Sequence, residues 1–274
     1  MLRWQRRTTG TCPNAYYDNE GYKQSMHLMV TQNYDFLSKA AARLVAKAVE
    51  AKPDAAIVVP TGNTPTGFYR ELVALYSQGA FETAHLRVFQ LDEYLGVSPS
   101  DERSFYGWIK RTLLDPLHIP GEHVVRLRGD VPDLQEACRE YDAAVEEAGG
   151  FNIAVLGLGR NGHLGFNEPP ADPQSFTHVV ELTEETRASN ARYWDGRERI
   201  PGLAITCGMT HLLAARQVIV LVSGGQKRDI LQRTLKGPVT PDVPASYLQA
   251  SRSVIIIADA AAWPQSVPGN ILAV

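Results

Sequence analysis

Hydrophobic residues along this chain alternate between two periods. Short, β-branched apolar runs occur at Ala56–Val59, Leu86–Leu91, Ile153–Leu156, His178–Leu182, Val218–Val222 and Val254–Ile257. Most are apolar at every position, as in strands of a parallel sheet covered on both faces. Between them lie helical stripes. Leu37, Ala41, Leu44 and Ala48 form one, ended by Pro53; Leu134, Cys138, Tyr141 and Val145 form another, ended by Gly149 and Gly150. Strand and helix alternating over short links predict an α/β fold with a doubly wound, mostly parallel sheet and helices on both faces. In such a fold the ligand sits beyond the carboxyl ends of the strands.

Three strand ends carry candidate chemistry. Val58-Val59-Pro60-Thr61-Gly62-Asn63-Thr64-Pro65 reads as a buried strand turning into a helix. Thr64 is placed as the N-cap and Pro65 as the first helical residue, where its missing N–H costs nothing. Such a helix N-terminus, with threonine hydroxyls beside it, suits a phosphate; an ordinary capped β–α turn fits equally well. Phe89-Gln90-Leu91-Asp92-Glu93-Tyr94 ends a strand in two acids. Neighbours on a strand point to opposite faces, so one of the pair enters a site there as a general base; a solvated loop or a helix cap is the alternative.

The third end is Phe151 to Pro170, FNIAVLGLGRNGHLGFNEPP. Gly157 to Gly162 satisfies G-x-G-x-x-G, with Glu181 about 20 residues on, as a dinucleotide site asks. Pro169, Pro170 and Pro173 deny that loop the helix on which a pyrophosphate would sit. The glycines therefore build a loop that offers His163, which can accept and donate a proton, beside Glu168. Zinc is a poor fit, because His163, Glu168 and His178 lack zinc-ligand spacing. Arg192, and Lys227 after Ser223-Gly224-Gly225-Gln226, could each bind a phosphate or be ordinary surface charges.

Composition narrows the field. A net charge of -3 with no dense basic run argues against a nucleic-acid surface. No apolar stretch approaches membrane-span length. Cys12, Cys138 and Cys207, odd in number and scattered, read as reduced thiols of a cytoplasmic protein. Residues 1–25 hold Arg3, Arg6, Arg7, Tyr16, Tyr17 and Tyr22 without an apolar core. They are read as an N-terminal extension on a single domain at 26–274.

Taken together, PTGNTP, LDEY, GLGRNGHLGFNEP, the Arg192 segment, SGGQK and Pro244 to Gln249 resemble the glucosamine-6-phosphate deaminases, from about Met26 to about Asp259. The NGHLGFNEP run separates the chain from the related 6-phosphogluconolactonases. The resemblance implies conversion of glucosamine 6-phosphate to fructose 6-phosphate and ammonia, with no metal or organic cofactor. It assigns Asp92 to proton transfer from C2 to C1, and His163 to ring opening with Glu168 and Asn161 in support. Thr61, Gly62, Asn63, Thr64, Gly157, Arg192 and Lys227 fall at its substrate- and phosphate-binding positions. A galactosamine-6-phosphate deaminase, a lactonase and a non-catalytic sugar-phosphate sensor are the alternatives. Hexameric members of the family bind N-acetylglucosamine 6-phosphate through a serine pair and basic residues just after F-N-E-P. Here Ala171, Asp172, His178, Val180 and Glu181 stand in those places. The resemblance thus implies an enzyme of small-molecule sugar phosphates that is a monomer or small homo-oligomer, without that activation.

Overall fold

A computed structural model describes residues 16–17, 23–191, 194, 200–264, 267 and 270–271. The first half holds strands β1 (Tyr16–Tyr17), β2 (Lys23–Thr31), β3 (Ala56–Val59), β4 (Arg87–Gln90), β5 (Asp92–Tyr94) and β6 (Val124–Val125), with helices α1 (Tyr34–Ala51), α2 (Asn63–Ser77), α3 (Phe105–Ile109) and α4 (Leu134–Glu147). The second half holds β7 (Ile153–Gly157), β8 (His178–Glu181), β9 (Leu203–Thr206), β10 (Gln217–Val222), β11 (Ser253–Asp259) and β12 (Asn270–Ile271), with α5 (Glu184–Asn190), α6 (Met209–Ala214) and α7 (Arg228–Lys236).

Nine strands form the main sheet, in the order β1-β2-β11-β10-β7-β3-β4-β6, with β12 also beside β2. Every pairing in it is parallel except β1 with β2. The all-apolar strands follow from this arrangement, because successive residues face opposite sides. Val58, Ala154, Leu156, Val218, Val220 and Ile256 face a core shared with α4, α6 and α7. Ile57, Val59, Val155, Ile219, Leu221 and Ile257 face a second core shared with α1 and α2.

Local signals set the helix ends. Asn33 caps α1, its side chain accepting from the N–H groups of Asp35 and Phe36. After α4 the chain turns through Gly149 and Gly150, both at positive φ (72° and 77°), which a side chain would strain. The expected cap at Thr64 is corrected: α2 starts at Asn63, and Gly62 is its N-cap with φ 104°. Only glycine takes that backbone angle freely, so the turn out of β3 closes two residues early. Pro65 still lies in the first turn, where its lost N–H has no intrahelical partner.

The run at His178–Leu182 forms a strand, but not in the main sheet. β8 joins β9 and β5 in a separate antiparallel sheet of order β5-β9-β8. Its burial alternates, with Val179 and Glu181 exposed, as in a sheet with one wet face. The covered face packs on a third cluster, which includes Tyr94, Phe166, Leu182, Trp194 and Ala204. Strands β1, β2, β5, β6, β9 and β12 are additions to the sequence expectation. Most are short or polar, and apart from the β1–β2 pair their pairing partners lie far off in the chain.

Candidate active site

Four neighbouring parallel strands, β10, β7, β3 and β4, end side by side, and the candidate residues follow those ends. At roughly 4.8 Å per strand step the four ends span about 14 Å. The chain leaves β4 through Leu91 directly into β5, which opens with Asp92. Asp92 is paired across the small sheet with Thr206, so two sheets hold its backbone.

Its side chain is buried, and Oδ1 has no hydrogen-bond partner. Burial pushes the carboxyl up to about 8, helped by the negative charge of Glu93 and opposed by a hydrogen bond with the Thr61 side chain. Glu93 is the opposite case. Its Oε1 accepts from the N–H groups of Tyr94 (2.9 Å) and Phe105 (3.0 Å). Its Oε2 accepts from Gln90 Nε2 (3.0 Å), Ser104 Oγ (2.9 Å) and the Tyr106 N–H (2.9 Å). Of the two adjacent acids, one anchors the start of α3 and the other, at the strand ends, keeps one oxygen without a partner.

No helix follows the glycine turn after β7; the chain runs to Pro170 as turns and loop, as the argument against a dinucleotide site requires. The Gly159 N–H donates to the His163 carbonyl (3.0 Å), which closes the turn. Gly159 has a steric reason. A Cβ there would lie 2.3 Å from His163 Cδ2 and 2.5 Å from Nε2, so the imidazole rests against bare backbone. Gly157, the last residue of β7, borders open space: nothing lies within 4 Å of a Cβ built there.

His163 Nδ1 faces Glu168 Oε2 at 3.3 Å, and Asn161 Nδ2 donates to the same oxygen at 2.6 Å. Asn161 Oδ1 accepts the His163 N–H at 3.2 Å. The Thr186 hydroxyl donates to Glu168 Oε1. Burial alone would raise Glu168, but hydrogen bonding and charge attraction from His163, with the donors on Thr186 and Asn161, hold it down at about 2. The ionised carboxylate can only accept, so in the neutral imidazole Nδ1 is the nitrogen that carries the proton and Nε2 is the acceptor.

Lys227 ends the short turn after β10, and its Nζ donates to the Leu158 carbonyl at 2.5 Å. Burial draws its ammonium down to about 8, with repulsion from Arg160 adding to that and attraction from Glu185 opposing it. Asp259, at the end of β11, fixes the turn by accepting from Ser223 Oγ (2.5 Å) and the Gly224 N–H. Across β7 from this turn lies the N-terminus of α2, formed by Gly62, Asn63 and Thr64 without a capping side chain. The Tyr34 hydroxyl sits in its first turn, accepting the Gly67 N–H at 2.7 Å. Arg192 lies outside the described residues.

The strand ends thus bring together Asp92, His163, Glu168, Asn161, Thr61, Lys227 and the start of α2. Glu93 takes the helix-cap alternative that its sequence offered, and Asp259 and Thr186 are supports the sequence does not single out. An acid at a strand end was a usable signal for Asp259; nothing in the local sequence ties Thr186 to Glu168. Among the described residues, no group of three or more His, Cys, Asp or Glu could hold a metal ion. No described helix is long and apolar enough to cross a membrane.

A doubly wound α/β sheet whose strand ends gather a buried carboxylate with one oxygen unpartnered, a carboxylate-held histidine and a lysine near a helix N-terminus is an enzyme scaffold for moving protons on a small anionic substrate. Residues 31–257 match the family described as glucosamine-6-phosphate isomerases/6-phosphogluconolactonase, and the chain belongs to it. A glucosamine-6-phosphate deaminase of Thermoanaerobacter sp. (strain X514) is 38% identical over 234 residues, 85% of this chain and 92% of that relative. Glucosamine-6-phosphate deaminase 2 of Bacillus subtilis (strain 168) is 37% identical over 236 residues, 85% of this chain and 95% of that relative. The solved structure of a monomeric glucosamine-6-phosphate deaminase matches with a TM-score of 0.85 at 35% identity, covering 86% of this chain and 98% of that one. A 6-phosphogluconolactonase from Leishmania guyanensis shares the fold at a TM-score of 0.69 and 20% identity, covering 89% of this chain and 100% of that one.

Proposed function

We propose that this enzyme converts glucosamine 6-phosphate and water to fructose 6-phosphate and ammonia. The carrying observation is Asp92, a buried carboxylate with one oxygen unpartnered, set beside the ends of the strands that hold His163 and Lys227. A lactonase has no carbon-bound proton to move and gives no reason to keep such a base. The relatives at 37–38% identity named as deaminases support the same choice.

The substrate phosphate docks on Lys227 and the first turn of α2, with Arg192 as a further cation. That turns binding at one end of the sugar into orientation at the other. His163 Nε2 takes the proton of the anomeric hydroxyl, the C1–O5 bond breaks, and the proton passes to the ring oxygen. Glu168 and Asn161 keep the imidazole aligned while it carries positive charge. Asp92 then removes the C2 proton of the open-chain aldehyde while the C2 ammonium gives one of its protons to the C1 oxygen, leaving an enolamine, and Asp92 returns its proton to C1. The resulting C2 imine adds water and expels ammonia.

The raised affinity of Asp92 for protons makes it a stronger base, suited to a carbon acid. The substrate's C2 ammonium, arriving beside it, favours the ionised form. Residues 26–274 act as one unit in this reading, as a monomer or small oligomer in the cytoplasm.

The test is purified protein with glucosamine 6-phosphate, following ammonia and fructose 6-phosphate, with galactosamine 6-phosphate and 6-phosphogluconolactone as comparison substrates. Asp92→Asn should abolish ammonia release and solvent-deuterium exchange at the transferred position while phosphate-ligand binding stays. Release of ammonia from the galacto epimer alone, or lactone hydrolysis without ammonia, would reject the assignment.

A further inference from the structure

The Glu168 carboxylate is committed on both oxygens. Oε2 receives Asn161 Nδ2 at 2.6 Å and faces His163 Nδ1 at 3.3 Å. Oε1 receives the hydroxyl of Thr186, a residue 3% exposed on α5. Thr183 caps that helix, its hydroxyl accepting the Thr186 N–H at 3.3 Å. A helical threonine usually returns its hydroxyl to a carbonyl of the preceding turn or points it at water. Thr186 sends its hydroxyl to a carboxylate 18 residues back in the chain.

We propose that Thr186 is a positioning residue for the His163–Glu168 pair, its hydroxyl fixing the carboxylate so that Oε2 holds Nδ1–H and Nε2 is presented to the sugar. Geometry supplies the reason. A carboxylate pivots about its last bond, and Asn161 and His163 both address one oxygen. Without a donor at Oε1, that oxygen is buried and unpaired, and the group turns to share Asn161 Nδ2 between its oxygens. The Oε2–Nδ1 contact is already long, and it is the contact such a turn breaks first. Thr186 touches no reacting atom in this account; it acts through Glu168.

The inference rests on His163 acting in ring opening, so two independent readouts are needed. Thr186→Val keeps the side-chain shape and removes the hydroxyl; Thr186→Ser restores it. With glucosamine 6-phosphate, kcat of the valine variant should fall about 10- to 150-fold, the rate equivalent of a hydrogen bond to a charged group. An acyclic amino-alditol 6-phosphate, which needs no ring opening, should bind as to the parent, and the serine variant should recover most of the rate. Thr186→Ala gives the same comparison if valine crowds Oε1. The second readout is the 15N spectrum of the His163 imidazole without substrate. The parent should show the Nδ1–H tautomer, and the valine variant a mixture of tautomers. Parental kcat and an unchanged tautomer in a folded valine variant would overturn the role of Thr186, as would failure of serine to rescue. A parent that releases no ammonia would overturn the deaminase reading instead, and the tautomer comparison would still decide the case for Thr186.

Discussion

Gly159→Ala should disable this enzyme without unfolding it. The added Cβ would sit 2.3, 2.4 and 2.5 Å from Cδ2, Cγ and Nε2 of His163. Non-bonded carbons settle at about 3.5 Å, so the ring must retreat by about 1 Å. The backbone cannot absorb the shift cheaply. Hydrogen bonds from the Gly159 N–H to the His163 carbonyl (3.0 Å) and from the Gly162 N–H to the Gly159 carbonyl (3.2 Å) close the loop on itself. The imidazole therefore swings out of its site and gives up the 3.3 Å contact with Glu168. A misplacement of about 1 Å in a reacting group costs on the order of 100-fold in rate. The stability cost is small by comparison. Overpacking costs about 1–3 kcal/mol, and replacing glycine returns about 0.4–1 kcal/mol through the unfolded chain. In a protein of this size that lowers Tm by about 10 °C at most. The assay is ammonia release from glucosamine 6-phosphate beside a thermal melt and binding of the acyclic amino-alditol phosphate. Gly121→Ala, where nothing lies within 4 Å of the new Cβ, is the control and should match the parent. Parental kcat in Gly159→Ala would refute the placement of His163 against this backbone.

Asp92 and Lys227 should together shape the pH profile. Asp92 must lose its proton near pH 8 to act as base, and Lys227 must keep its own, also near 8, to hold phosphate, so kcat/KM should form a narrow bell centred close to pH 8. Because the folded state raises the Asp92 carboxyl, its contribution to stability is complete below about pH 4 and lost as pH rises through 8. Asp92→Asn should therefore gain thermal stability over the parent at pH 9 and little at pH 4. Glu168 runs the other way: depressed to about 2, it contributes fully above pH 4.5 and is lost toward pH 2, so Glu168→Gln should flatten the acid side of the melting curve. Lys227→Ala removes a charged contact to phosphate worth roughly 1.5–3 kcal/mol, and KM should rise about 10- to 150-fold with kcat little changed. Rate curves should be hyperbolic and unmoved by N-acetylglucosamine 6-phosphate; a sigmoidal curve made hyperbolic by it would contradict the reading of Ala171, Asp172, His178, Val180 and Glu181.

The sequence by itself determined the centre of the main sheet, strands β11, β10, β7, β3 and β4, and the kind of chemistry. Strands such as Ala56–Val59, apolar at every position, can only be buried on both faces, and helices between them force parallel pairing. The prolines after His163 excluded a helix there, and with it a dinucleotide. Glycine at 62 was visible, but not that its positive φ would start α2 at Asn63. The second sheet was not legible either. β5 and β9 are three and four residues long, and they become strands only because residues more than 100 positions apart pair as Asp92 with Thr206. Tertiary structure alone also decided the unequal fates of two adjacent acids. Asp92 and Glu93 read alike in a string of letters. One meets five hydrogen-bond donors, three of them from residues 104–106, and the other is buried with an oxygen left open. Ionisation follows from which groups surround a carboxylate in space, and that depends on contacts the local sequence does not encode.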